Sequence, residues 1–465
     1  MDVTAKKHMN FKEIAAYSLG LFGFQAIVGL LNSYQAEFYV AEMAADLAIV
    51  GILILIAKVL SAVFDPIVGN LIDRKNGKHG KLKPFILYSL APLMIMTVVI
   101  FVKVGLSGTA LYAYIFATYF VWSLAMTLGD VPSQGIASVL TPNPTERTNV
   151  VSIANTFKQI GFSACVVVVP VVCLIIPGGS QVIGYEGEKD TPISATEYLA
   201  TAAVVGVLGC LLFSLIFFWN KERVPYKAEK MSFGEMMHTL RDNKPLMMVI
   251  VSYFLGFGRQ LAMSIQVQTS NALLGSQNYV AALGIATAVG SMLSMALTPV
   301  LIKKLGEKKV FIAMSVYGFA ISLISFFVGT GNMILMFICL FLIGLQFGAV
   351  TLLPMIMTAD CVDYYELKTG KRTEGAAYAV LSLTIKVCLA MGTALGLVFI
   401  QISGYDANAA VFSEETKNII YFAYTALPGI FSLLAVFPML KYDLVGKKKQ
   451  EIAEELQKRR AKQEK

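Results

Sequence analysis

Long apolar runs, repeated at intervals along the chain, constrain this sequence more than any other feature. Twelve segments near 12–40, 45–72, 84–104, 109–140, 149–176, 197–219, 245–273, 277–302, 309–329, 332–358, 374–402 and 418–440 read as membrane-spanning helices. A bilayer core of about 30 Å takes roughly 20 helical residues. Barrel strands of about ten residues are too short to account for them. A soluble chain of this length would divide into about three domains of roughly 150 residues. With 56% hydrophobic and 15% charged residues, this one calls for a membrane as its solvent. The expected fold is an all-α membrane protein, its twelve transmembrane helices in two pseudo-symmetric six-helix bundles.

The N-terminus, MDVTAKKHMNFKEIAAY, is polar and has no small-residue cleavage site after a short apolar core, so the first span is expected to be retained. The six cysteines (Cys165, Cys173, Cys210, Cys339, Cys361, Cys388) lie in or beside apolar segments without paired spacing and read as packing residues. The net charge of +8 comes from short connectors and not from one polar domain, which argues against nucleic acid as a partner.

The placement of the basic residues sets the orientation. Lys6, Lys7 and Lys12 precede the first span, and Arg74, Lys75, Lys78, Lys81 and Lys83 follow the second. The connectors on the other side hold only Lys103, Lys189 and Lys417. Both termini are expected in the cytoplasm, with loops 177–196 and 403–417 outside. The longest inner connector, 221–244, divides the spans into an N-terminal bundle at 1–220 and a C-terminal bundle at 245–440, followed by a cytoplasmic tail at 441–465. Weak internal symmetry agrees: the basic turn GNLIDRKNGKHGKLK after span two is echoed by LIKKLGEKKV after span eight.

Charge inside a bilayer is costly and usually faces a water-filled cavity or a partner. The candidates are Lys58 and Asp65 in span two, Asp130 in span four, Lys158 in span five, Arg259 in span seven and Lys386 in span eleven. Lys58, Ser61 and Asp65 share one helical face, and Thr127 neighbours Asp130 one turn away. Two carboxylates with adjacent hydroxyls form an oxygen-rich nest for sodium, or for a proton on a buried carboxylate. The bland alternative is that each Asp pairs with a lysine to lock helices. Proline and glycine beside both (FDPIVGN, LGDVPSQG) favour a functional role, because they free backbone groups. His8, His79 and His238 fall outside the spans, and HExxH, P-loop and GxSxG signatures are absent, so no enzyme is expected. A channel is disfavoured by the lack of a repeated filter sequence.

Two stretches resemble the glycoside–pentoside–hexuronide cation symporters of the major facilitator superfamily, the group that includes melibiose permease. DPIVGNLIDRKNGKHGKLKPFIL, from Asp65 to Leu87, matches the family's D-x3-G-x3-D pattern and its G-K-x-K-P-aromatic run except at Leu82. ADCVDYYELKTGKRTEG, from Ala359 to Gly375, is similar to the family's connector between spans ten and eleven. The resemblance implies cation-site roles for Asp65 and Asp130, a hydroxyl ligand in Thr127, and basic residues of the same region in Lys58 and Lys386. It also implies a cytoplasmic ionic gate of Asp360, Asp363, Arg372 and Arg147. Sodium-using members carry a further acid where this chain has Ser61, which favours the proton. Where melibiose permease uses an Asp, an Arg and tryptophans for its sugar, this chain has Gln25, Asn155, Gln134 and Thr351. With the span-one acid lost and Lys386 kept, and with Lys158 and Arg259 as further basic residues in the spans, an anionic solute such as a hexuronide or sulfated sugar fits the less negative cavity.

The expected function is therefore cation-coupled symport, by H+ or Na+, of a sugar, glycoside or related polar solute through alternating access. The alternative is an uncoupled facilitator or exchanger of the same fold. No cofactor is expected beyond the coupling ion. The partners are a small-molecule solute, a monovalent cation and membrane lipid; the expected unit is a monomer and the location a multi-pass inner or plasma membrane.

Overall fold

The computed structural model describes residues 8–74, 80–141, 144–176, 193–223, 233–275, 279–329, 332–370, 374–406, 409, 411–446, 448–452 and 454–456. All regular structure among them is helical, and helices occupy each of the twelve expected segments. In the first half these are α1 (Phe11–Met43), α2 (Leu47–Arg74), α3 (Lys83–Ile100), α4 (Gly108–Gly135), α5 (Pro144–Ile175) and α6 (Ala195–Trp219). The seventh span is broken into α7 (Lys244–Leu255), α8 (Gly258–Ser264) and α9 (Gln266–Leu274). After it come α10 (Tyr279–Leu305), α11 (Glu307–Val328), α12 (Met333–Thr369), α13 (Glu374–Ile402) and α14 (Glu414–Tyr421). A π-helical turn, Phe422–Ala426, leads from α14 into the proline-started helix Leu427–Leu434.

Local chemistry sets the helix ends. α1 begins with a capping box in which Asn10 Oδ1 accepts from the Glu13 N–H at 3.0 Å and Glu13 Oε2 accepts from the Asn10 N–H at 3.1 Å. It stops where Ala44 turns left-handed at φ 51°. The same device starts α6, at Ser194 and Glu197. α12 outruns its expected end at 358. Its 37 residues reach about 55 Å at 1.5 Å per residue, well beyond the hydrocarbon core, and the charged stretch continues it as an amphipathic helix with Cys361, Val362 and Tyr365 buried. Hydropathy marks where the lipid ends and not where the helix does.

The chain divides into two compact units. The first comprises Met1–Lys230, Ser264–Gly284 and Thr393–Lys417; the second Met231–Met263, Ile285–Gly392 and Asn418–Lys465. In the first, α1 lies so close to α5 that a Cβ on Gly161 would strike the carbonyl of Phe22, and one on Gly29 that of Phe162. In the second, Gly290 and Gly344 meet the carbonyls of Phe341 and Thr287 in the same way between α10 and α12. Small residues let membrane helices gain dispersion contact where the hydrophobic effect does not drive them together. Outward faces are apolar: Ile285, Val289, Leu293, Leu297 and Val300 form an exposed stripe along α10 at helical spacing.

The two basic turns also make equivalent ties. Lys83, at the start of α3, donates through Nζ to the carbonyl of Asn220 just after α6, at 2.6 Å. Lys308, at the start of α11, donates to the carbonyls of Leu440 and Tyr442 at 2.8 and 2.7 Å. Each lysine satisfies carbonyls left without a helical donor at a chain turn.

Candidate functional site: buried polar groups in the spans

Asp130 sits near the end of α4, 4% exposed, between Gly129 and Pro132. Proline at 132 removes the N–H that would have bonded the carbonyl of Leu128. Gln134, one turn on, donates from Nε2 to Asp130 Oδ2 at 2.8 Å. A residue expected to touch solute is thus bonded to the carboxylate expected to couple. Thr127, 2% exposed, is buried on the same helix. α4 packs along α2, which carries the other expected carboxylate. The side chain of Asp65 lies outside the described residues, as does that of Arg147; Arg372 lies outside them altogether.

On α2, Ser61 donates its hydroxyl hydrogen to the carbonyl of Lys58 at 2.9 Å, leaving oxygen lone pairs for a donor or cation. Lys58 Nζ reaches Asn32 Oδ1 at 3.2 Å and Thr393 Oγ1 at 3.5 Å. Both partners are neutral, and Asn32 is itself held by donating to the carbonyl of Val28 at 2.8 Å. Gln25, Lys158, Thr351 and Lys386 are half-buried, and Asn155 is exposed.

Arg259, in α8, is 2% exposed. Its guanidinium carbon lies 4.0 Å from the centre of the Tyr253 ring, and Nη1 approaches the carbonyl of Gly256 at 3.5 Å. Nε and Nη2 have no acceptor among the described residues. A buried fork with two vacant donors is uncommon, because buried polar groups are almost always satisfied.

At the far end of α12, Asp360 pairs with Lys449 at 2.7 Å, and Lys449 pairs with Glu307 at 2.6 Å. Asp363 lines a small cleft there with Asp360, Leu444, Lys449 and Ile452. Asp360 and Asp363 line the same cleft, and the described basic partner of Asp360 is Lys449 of the tail. The burial of Ile452 and Leu456 shows that the first part of this tail is packed against the helices. In the first unit Glu146 accepts the backbone N–H groups of His8 and Met9, at 3.1 and 3.0 Å, and the hydroxyl of Thr141 at 2.5 Å.

Reading the sequence for buried charge missed Glu37 of α1, which is 1% exposed. Gln268 Nε2 donates to its Oε2 at 3.0 Å and the Tyr405 hydroxyl to its Oε1 at 2.9 Å. The signal was available, since Glu37 is an acid inside the first apolar segment.

Apolar helices of bilayer length enclosing ionisable side chains define a polytopic membrane protein. The family model for MFS/sugar transport proteins matches residues 16–445, and the chain belongs to that family. It is 27% identical to the putative glycoside/cation symporter YagG of Escherichia coli, over 98% of this chain and 96% of that one. It is 25% identical to the glucuronide carrier protein homolog of the same organism, over 98% of this chain and 97% of the other. The nucleoside transporter NupG shares the fold, with a TM-score of 0.65 over 93% of this chain and all of that one at 14% identity. The protein is accordingly an integral membrane protein and a secondary transporter.

Proposed function

We propose that this transporter couples a monovalent cation, the proton before sodium, to symport of an anionic glycoside or related acidic polar solute. The carrying observation is Arg259, a buried guanidinium with two donors free of any described acceptor. A planar fork of this kind suits a carboxylate or sulfonate and binds it by charge-assisted hydrogen bonds. Lys386 and Lys158 add positive charge. Gln25, Asn155 and Thr351 are the neutral groups that would order the sugar hydroxyls. Kinship with a glucuronide carrier homolog and a putative glycoside/cation symporter supports both the solute class and the coupling.

Asp65 and Asp130, with Ser61 and Thr127 beside them and Lys58 on the same helix, form the coupling site. Gln134 links Asp130 to the solute, so occupancy of one site alters the affinity of the other, as coupling requires. Two bundles, 1–220 and 245–440, alternate access around the site with both termini cytoplasmic. Asp360, Asp363, Arg372 and Arg147 close the inner side. A monomer in the inner or plasma membrane is the working unit.

Uptake of a labelled phenyl glucuronide into energised cells, with the matching neutral galactoside as control, tests the reading. We expect uphill uptake of the glucuronide alone, collapsed by a protonophore and reduced at least about tenfold by Arg259→Gln, the loss of about 1.4 kcal/mol. Equal uptake of both glycosides, unaffected by Arg259→Gln, would reject the anionic solute. Glucuronide equilibration without accumulation under either a proton or a sodium gradient would favour the uncoupled facilitator.

A further inference from the structure

We propose that Glu37 is a proton-binding site, distinct from the Asp65 and Asp130 pair, at which a bound proton holds a junction between α1, α9 and the chain following α13. Its oxygens meet Gln268 of α9 and Tyr405 beyond α13, and Asn271 Nδ2 of α9 donates to the Tyr405 hydroxyl at 2.9 Å. The junction therefore ties together three parts of the chain far apart in sequence, all within the first compact unit. Its placement on the outer side of the membrane rests on the topology proposed above; the proton site itself does not.

The chemistry of the surroundings carries the argument. Neither partner of Glu37 is a cation: an amide and a phenol hold the carboxylate, and among the described residues it makes no ion pair. Of the other titratable groups, the Tyr198 phenol lies within electrostatic reach of Glu37 and, in turn, of the Tyr34 phenol, the Cys173 thiol and the Glu42 carboxylate, and Glu197 neighbours Cys173. Lys103 is paired with Glu42, five residues on in α1, at 2.8 Å. α9, with the sequence QVQTSNALL, contributes no titratable side chain. A negative charge at Glu37 would thus be buried without a counter-charge, and a proton removes it.

The partners are suited to either form. Gln268 is fully buried, and its Oε1 has no hydrogen-bond partner among the described residues. With Glu37 ionised, the amide donates through Nε2. With Glu37 protonated, turning the amide over presents Oε1 to the new hydroxyl, with the number of hydrogen bonds unchanged. Tyr405 donates to the other oxygen in both forms. Separation of α9 from α1 would expose the carboxyl to water, where the proton exchanges with the solution. Occupancy by a proton and closure of the junction are therefore linked.

Infrared pH-difference spectra of the purified protein in lipid nanodiscs test this without a solute. The wild type should show the carbonyl-stretch band of a buried carboxylic acid, present in acid buffer and lost in alkaline buffer. Glu37→Gln should remove that band, while Asp65→Asn and Asp130→Asn should keep it. Tyr405→Phe, which withdraws one hydrogen bond, should move the band to higher wavenumber without abolishing it. The absence of the band from the wild type, or its full retention in Glu37→Gln, overturns the proposal. If Glu37→Gln does not fold, a band that neither moves nor weakens in Tyr405→Phe overturns it equally.

Discussion

Gln134 donates a 2.8 Å hydrogen bond to Asp130, one helical turn away on α4. Removing the donor changes the carboxylate as well as any solute contact. Gln134→Leu is expected to shift the cation dependence of uptake together with solute affinity, and Asp130→Asn to abolish accumulation while leaving exchange. Uptake measured across a series of imposed gradients separates the effects. A change in solute affinity at constant cation dependence in Gln134→Leu would show that the bond carries no coupling.

Lys449 bridges Asp360, near the C-terminal end of α12, and Glu307, at the start of α11, in the second unit. Burial pulls its ammonium pKa down, but hydrogen bonds and charge from the two carboxylates outweigh burial and leave it above the usual lysine value. The bridge therefore contributes fully below the ordinary lysine pKa and is lost only as the pH rises through the higher folded value. Because the lysine is partly exposed, each pair is worth about 0.5 kcal/mol after screening. Lys449→Ala should lower the melting temperature slightly, to the same degree at neutral and mildly alkaline pH. Asp360→Asn should reproduce about half of that loss, and the double variant should add little to the loss from Lys449→Ala. Strict additivity in a thermal-shift assay would place the two residues in separate interactions.

Gly161 and Gly344 lie where neighbouring backbone leaves no room for a methyl group. Alanine at either should destabilise the protein by about 1–3 kcal/mol through overpacking. Gly105, with nothing within 4 Å of a Cβ, should tolerate alanine within about 0.5 kcal/mol. Unfolding in mild detergent, followed by the reactivity of the buried cysteines, compares them. Equal tolerance at Gly161 and Gly105 would contradict the close approach of α1 and α5.

The sidedness read from the basic residues places Val411, 82% exposed, outside and Lys441 inside. In a background without the native cysteines, Val411→Cys should react with an impermeant maleimide in intact cells. Lys441→Cys should react only once the membrane is opened. The reverse pattern would invert the topology and move the Glu37 junction to the cytoplasmic face.

Most of the architecture was legible from the chain alone, because the cost of placing polar residues in lipid is summed locally. Runs such as 84–104 and 309–329 declare a span without reference to any other part of the molecule. Asp130 and Arg259 could be picked out for the same reason, each being a charge within an apolar run. What those charges touch is a different matter, since a hydrogen bond depends on the approach and rotation of whole helices. Glu37 meets Gln268 and Tyr405 across 231 and 368 sequence positions, and nothing in the spacing of an acid, an amide and a phenol foretells it. Lys449, which the sequence assigns only to the tail after the last span, docks on Asp360, and Ile452 and Leu456 bury their side chains beside it. Hydropathy thus decided the number of spans in this protein and their chemical character, whereas close packing at glycines such as Gly29 and Gly161 set how closely helices approach and so which buried polar groups meet.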